Sequence, residues 1–231
     1  MPRVARIVIP DVPHHVTQRG NNRQDVFFAV DDRSVYLQIL AEQSGRAALD
    51  VLGYSLMTNH VHLVVVPRRP DSLAKAIGRT DWIYTQHVNR LHDRLGHLWQ
   101  NRFYSCPMGE KHTVAAMRYV EQNPVRAKLV MHAWDYPWSS ARAHVTGRDE
   151  TGLIDLNAWL TDWPPKEWRR MLRTGIDEDL LGVLRRCTMR GRPFGSDRFV
   201  SKMEKLLGRR VRANPVGRPV GWRKRKQGRA K

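Results

Sequence analysis

The run Asn59-His60-Val61-His62-Leu63-Val64-Val65-Val66 sets two histidines two positions apart in an otherwise apolar stretch. Side chains alternate faces along a strand, so His60 and His62 point one way while Val61, Leu63 and Val65 point the other. Two imidazoles close together on a rigid strand make half of a metal site. A bare His-x-His fits ordinary surface or core histidines at least as well, so a further group must converge on it. The segment Met117-Arg118-Tyr119-Val120-Glu121-Gln122-Asn123-Pro124-Val125-Arg126-Ala127 offers one. Tyr119 and Asn123 stand four residues apart and share one helix face. Pro124 disfavours helical geometry at Asn123, so the helix should stop there with the amide oxygen free to reach a partner. Packed over the histidine face, such a helix gathers two imidazoles and an amide beside a phenol. Taken singly, Tyr119 also fits a half-buried aromatic and Asn123 a helix stop.

These residues need elements to hold them. The spacing predicts a strand over residues 14–18 and a helix over about 31–44 carrying Val35, Leu37, Ile39 and Leu40. Strands over 49–57 and 60–66, joined through Thr58-Asn59, read as a hairpin. Asp71 or Ser72 caps a long helix with Leu73, Ile77, Tyr84, Val88 and Leu91 on one stripe. A short strand near 104–108 precedes a helix over about 113–122. The order β-α-β-β-α-β and then α gives an α+β fold with a ferredoxin-like core and an added helix that bears the tyrosine.

The chain has 231 residues and a net charge of +18, with 41% hydrophobic residues, enough apolar content to fold. Charge is unevenly spread: residues 1–145 hold 18 basic and 12 acidic side chains, 146–184 hold 5 and 8, and 185–231 hold 17 and 2. Three segments are therefore expected: a domain over 1–145, a helical connecting segment over 146–184, and a basic, mostly helical extension over 185–231. A tail this cationic calls for a polyanion, and lacking an amphipathic apolar face it suits nucleic acid better than a membrane surface. Arg190-Gly191-Arg192-Pro193 looks like the core of an AT-hook, which lies extended in a narrow minor groove. Its Gly-Arg-Pro recurs at Gly217-Arg218-Pro219. Between the repeats, Ser196 and Gly208 bracket a helix with Phe199, Met203, Leu206 and Leu207 at helical spacing. The two cysteines, Cys106 and Cys187, supply neither a disulfide framework nor a Cys-rich zinc site. No apolar run is long enough for an export signal or a membrane span, so a cytoplasmic, nucleoid-associated protein is expected.

Four stretches together carry a resemblance: Gly53 through Leu63, Tyr84-Thr85-Gln86-His87-Val88-Asn89-Arg90, Gly96-His97-Leu98-Trp99-Gln100-Asn101-Arg102-Phe103, and Tyr119 through Ala127. In order and spacing they resemble the single-tyrosine HUH transposases, and more narrowly the REP-associated tyrosine transposases. The resemblance covers about residues 1–145 and extends loosely into the Gly-Arg-Pro tail. It implies that His60 and His62 are the HUH histidines, that Asn123 completes the metal site and that Tyr119 is the nucleophile. Asn123, where insertion-sequence relatives commonly carry glutamine, leans toward the REP-associated branch. The Trp134-Asp135-Tyr136-Pro137-Trp138 stretch resembles the family's closing motif, where the chain packs back on the domain.

The implied reaction cleaves and rejoins single-stranded DNA, in REP-type hairpins, through a 5′-phosphotyrosine intermediate. Neutral ligands leave the full charge of Mg²⁺ or Mn²⁺ to act on a phosphate oxygen. The phosphotyrosine conserves the energy of the broken ester, and the chain has no phosphate-binding Gly-x-x-x-x-Gly-Lys-Ser/Thr loop. Arg118, Arg126 and Lys128 flank the tyrosine as cations that favour its phenolate, and with Arg19, Arg102, Arg192 and Arg218 they are candidate DNA contacts. The expected protein is a monomer. Two other classes compete on the same scaffold: a noncatalytic hairpin-DNA binder, and a nuclease in which water replaces Tyr119.

Overall fold

The alternation over residues 60–66 is realised as strand β3 (His60–Pro67), hairpinned to β2 (Leu49–Met57). On the other side of β3 lies β1 (His14–Arg19), followed by β4 (Tyr104–Pro107). The sheet order is β2-β3-β1-β4, with every neighbouring pair antiparallel. This is the ferredoxin-like arrangement, with β1 and β3 in the centre. The register sets Thr17 opposite His62, Arg19 opposite His60 and His15 opposite Val64. The histidines of β3 thus sit mid-sheet, on the face shared with His15. Residues 5–213 of this computed structural model are described.

The two sheet faces carry separate cores. On one, Val16, Val61, Leu63 and Val65 pack against α1 (Asp32–Ala47) through Tyr36, Leu37 and Leu40, and against α2 (Ser72–Leu91) through Leu73, Ile77, Tyr84 and Val88. On the other, Leu52, Val64, Val66 and Cys106 meet Ala116, Met117, Tyr119 and Val120 of α3 (Glu110–Arg126). The short α4 (Ala141–Thr146) and α5 (Leu156–Asp162), then α6 (Pro165–Arg173) and α7 (Glu178–Arg190), extend this second layer. Helix α8 (Asp197–Leu207) joins a third cluster, in which Met203 and Val211 bury Ile7 and Ile9 of the N-terminal segment. Gly53 lets α3 come close to β2, because a Cβ there would stand 2.4 Å from Met117 Sδ and 2.9 Å from Ser140 Oγ. Trp138 and Ser140 return to the open edge of β2, Leu56 N–H donating to the Trp138 carbonyl. No helix among the described residues is long and apolar enough to cross a membrane.

Three local expectations change. Helix α3 does not stop at Asn123 but runs to Arg126 with Pro124 inside it. Proline removes a single N–H, and bonding resumes at once as Ala127 N–H donates to the Asn123 carbonyl and Leu129 N–H to that of Pro124. Leu91 falls on the α2 stripe yet is 58% exposed, because the last turn overhangs the layer that covers Leu73 to Val88. The Arg190-Gly191-Arg192-Pro193 segment is not extended. Gly191 takes a left-handed φ of +63°, Arg192 N–H donates to Cys187 and Gly191 N–H to Thr188, closing α7 in a Schellman cap. Gly217 to Gly221, with Arg218, lies outside the described residues.

Candidate active site

His60 and His62 project from β3 toward α3, their ring centroids 5.0 Å apart and the rings nearly perpendicular. The protonation of each ring follows from its partners. The Asn59 side-chain nitrogen donates to the Arg23 carbonyl, so its oxygen faces His60 and accepts from Nδ1–H at 2.6 Å. His60 Nε2 therefore keeps its lone pair. For His62 the sequence of bonds starts on α7. The Thr188 hydroxyl donates to the Leu184 carbonyl, and its oxygen accepts from His15 Nδ1–H at 2.8 Å. His15 Nε2 is left as the acceptor for His62 Nδ1–H at 3.0 Å, and His62 Nε2 is freed as well. Burial drives the His60 pKa down to about 4 and that of His15 to about 3. His62 is held well below its ordinary range by burial first, then by His60, His15, Arg19 and Arg185. At neutral pH all three rings are uncharged, the form in which imidazole binds metal.

Tyr119 stands over His62 and His15. Its ring centroid lies 5.3 Å from His62 and 6.0 Å from His15, edge-on to both, and it is 6% exposed. From the outer side the Arg185 guanidinium of α7 sits 5.4 Å from the Tyr119 ring centroid. One turn further along α3, Asn123 is half-buried, and its side-chain nitrogen has no hydrogen-bond partner among the described residues. That orphaned N–H donor asks for an acceptor, whereas the amide oxygen is the atom a cation would take. Two neutral imidazoles with free Nε2 atoms, together with the amide oxygen of Asn123, are residue types that fit a divalent cation.

The candidate DNA contacts separate into two groups. Arg19 is exposed opposite His60, Lys128 is exposed after the end of α3, and Arg102 and Arg192 line one cleft together. Arg118 and Arg126 are engaged by the protein itself. Arg118 donates to the carbonyls of Thr174 and Gly175 and to the Thr174 hydroxyl, and Arg126 ion-pairs with Glu178 at 2.5 Å. His15, Thr188 and Arg185 escaped the sequence reading. The alternation of β1 carried a signal for His15, since a central β1 beside β3 puts residues 15, 17 and 19 on the histidine face. Thr188 and Arg185 gave none, because nothing in the spacing of α7 says where it packs.

Residues 9–123 match the family model described as IS200-like transposase. Among solved structures, the chain is similar to a REP-associated tyrosine transposase bound to a REP hairpin. The identity is 16% and the TM-score 0.52, over 68% of this chain and 90% of that one. It is also similar to a Deinococcus radiodurans protein described as a candidate transposase, at 16% identity and a TM-score of 0.35, over 55% and 92% of the two chains. No curated protein matches the chain. At this identity the first likeness bears on the fold, and it agrees with the sheet order and the helical C-terminal part.

Proposed function

We propose that the chain, whose residues 9–123 match the IS200-like transposases, is a DNA-processing protein of that family and acts as a metal-dependent strand transferase on single-stranded DNA, with Tyr119 as nucleophile. The observation that carries this reading is the placement of Tyr119 with its ring 5.3 Å from His62, on a face where the histidines are neutral and their Nε2 atoms free. His60, His62 and Asn123 would hold Mg²⁺ or Mn²⁺, which when bound supplies positive charge to a nonbridging oxygen of the scissile phosphate. The remaining work falls to the protein. Tyr119 Oη attacks phosphorus in line, the P–O3′ bond breaks, and a 3′-hydroxyl leaves as the 5′-phosphotyrosine forms. The phenolic proton goes to solvent, and solvent returns one to the departing O3′. Arg185, beside the Tyr119 ring, faces the charge that develops on the phosphate. The free 3′-hydroxyl of the same or another strand reverses the step, so rejoining needs no nucleotide cofactor.

A REP-type hairpin with a single-stranded foot is the proposed substrate, by analogy with the solved relative that is bound to one. The histidines and tyrosine meet within one chain, which supports action as a monomer. Incubation with a hairpin oligonucleotide and Mn²⁺, followed by denaturing electrophoresis, tests the reading. A covalent protein–DNA band is expected, lost in Tyr119→Phe with DNA affinity kept. Cleavage without an adduct would instead indicate a water nucleophile, and binding without cleavage a noncatalytic DNA binder.

A further inference from the structure

Seven arginines line one cleft of about 540 Å³, between the N-terminal segment, the loop before β4 and the connection around α7 and α8. They are Arg6, Arg102, Arg190, Arg192, Arg209, Arg210 and Arg212. No aspartate or glutamate lines the cleft. Arg212 is neutralised by Asp197 and Glu204, whereas the side chains of Arg102, Arg190 and Arg192 have neither hydrogen bond nor ion pair among the described residues. Arg209 and Arg210 reach only the carbonyls of Ala5 and Ala213. Arg6 lies flat on Phe103, its guanidinium carbon 3.6 Å from the ring centroid, and gives hydrogen bonds to the Phe103 carbonyl. Its pKa is lowered to about 10 by burial and then by the charge of Arg102. Arg102, Arg190 and Arg192 thus stand beside the other guanidiniums without an acidic partner, and such neighbours repel one another, a cost that a polyanion would offset.

The position of the cleft narrows the choice of polyanion. Thr188, which lines it, is the residue whose oxygen holds His15 against His62. The cleft therefore lies one residue layer from the imidazoles. Five of its seven arginines come from residues 190–212, in the C-terminal extension.

We infer that this cleft seats the sugar–phosphate backbone of the single DNA strand leading to the histidine pair, so that the extension is part of the substrate track. The inference rests on the reading of the protein as a DNA-processing enzyme. Fork-shaped guanidiniums suit phosphate oxygens, and backbone contacts of this kind position a strand without reading its sequence.

Fluorescence anisotropy with the full-length chain, a labelled single-stranded oligonucleotide and a blunt hairpin, over a range of salt, tests this. In Arg190→Gln/Arg210→Gln the slope of log affinity against log salt for the single strand should fall by about 1.4, about 0.7 for each phosphate deprived of its arginine. At low salt the affinity should fall several-fold. Arg46→Gln/Lys75→Gln, the same charge change on α1 and α2 across the sheet, should leave the slope unchanged. Equal slopes for wild type and the cleft variant overturn the proposal, as does an equal drop in the α1/α2 variant, which would mean that only net charge matters. A drop seen with the hairpin alone would make the cleft a stem site and refute the single-strand assignment. If wild type binds neither DNA, the DNA-processing reading itself fails; wild-type binding with unchanged slopes removes only the cleft.

Discussion

A histidine on a sheet is only as good a ligand as its tautomer allows, and here the tautomers are set by neighbours. Asn59 fixes that of His60, while Thr188 fixes that of His62 through His15. Groups that orient a ligand in this way typically change metal affinity by about 10–100-fold when removed. Thr188→Val takes away the oxygen that accepts from His15 while keeping the side-chain volume. Mn²⁺ affinity of the DNA-free protein, measured by calorimetric titration, should fall about tenfold in Thr188→Val and recover in Thr188→Ser. If Thr188→Val binds Mn²⁺ like wild type, the assigned tautomers are wrong. The His-x-His pair was legible in the sequence because a strand's alternation is local. His15 needed the added knowledge that β1 lies beside β3, and Thr188 had no local mark at all, since its role arises only when α7 packs against the sheet.

Element order was legible for the same reason, each strand and helix carrying its own period, and the hairpin announcing itself at Thr58-Asn59. What could not be read was how α3 is anchored, for Glu121 looks like any solvent-facing helical acid. It is fully buried, accepting from the Ser140 hydroxyl and His144 Nδ1 at 2.5 Å each and from the Trp168 indole at 2.8 Å. One carboxylate thereby ties α3 to α4, to α6 and to the segment that closes on β2. Removing it strands three buried polar groups at once. Glu121→Ala should cost about 3–5 kcal/mol in urea unfolding, and Glu121→Gln less, because an amide keeps one acceptor oxygen. A Glu121→Ala loss below about 1 kcal/mol would show that the tether does not anchor the helix. The overrun of α3 past Pro124 belongs to this scale too. A helix held this firmly from its buried side tolerates one missing N–H near its end.

Across the whole molecule, burial opposes two kinds of charge, and the pH at which stability peaks follows from their signs. His14, His15, His60 and His62 are all pushed down by burial, His14 and His60 to about 4 and His15 to about 3. The unfolded chain binds protons at these positions from about pH 6.5 downward, whereas the folded one does not until lower pH. Their contribution is therefore complete above about pH 6.5 and is lost on acidification. Asp81 behaves oppositely. Burial outweighs the favourable contacts from Tyr36, Gln18 and Arg6 and raises its carboxyl to about 8, so the folded state holds a proton that the unfolded chain releases near pH 4. Its contribution is complete at low pH and drains away as pH rises through 8. Below about pH 7 four imidazoles outnumber one carboxyl and stability climbs with pH; above it the unfolded imidazoles have nearly finished titrating, the carboxyl dominates, and stability declines by up to about 1.4 kcal/mol per pH unit. Urea unfolding of the metal-free protein from pH 5 to 9 should thus peak near pH 7. Asp81→Asn, which mimics the protonated acid, should remove the alkaline decline and leave the acid limb intact. A wild-type curve that keeps rising from pH 7 to 8 would mean that Asp81 is ionised in the fold and that its neighbours, the Tyr36 hydroxyl first, outweigh the cost of burying it.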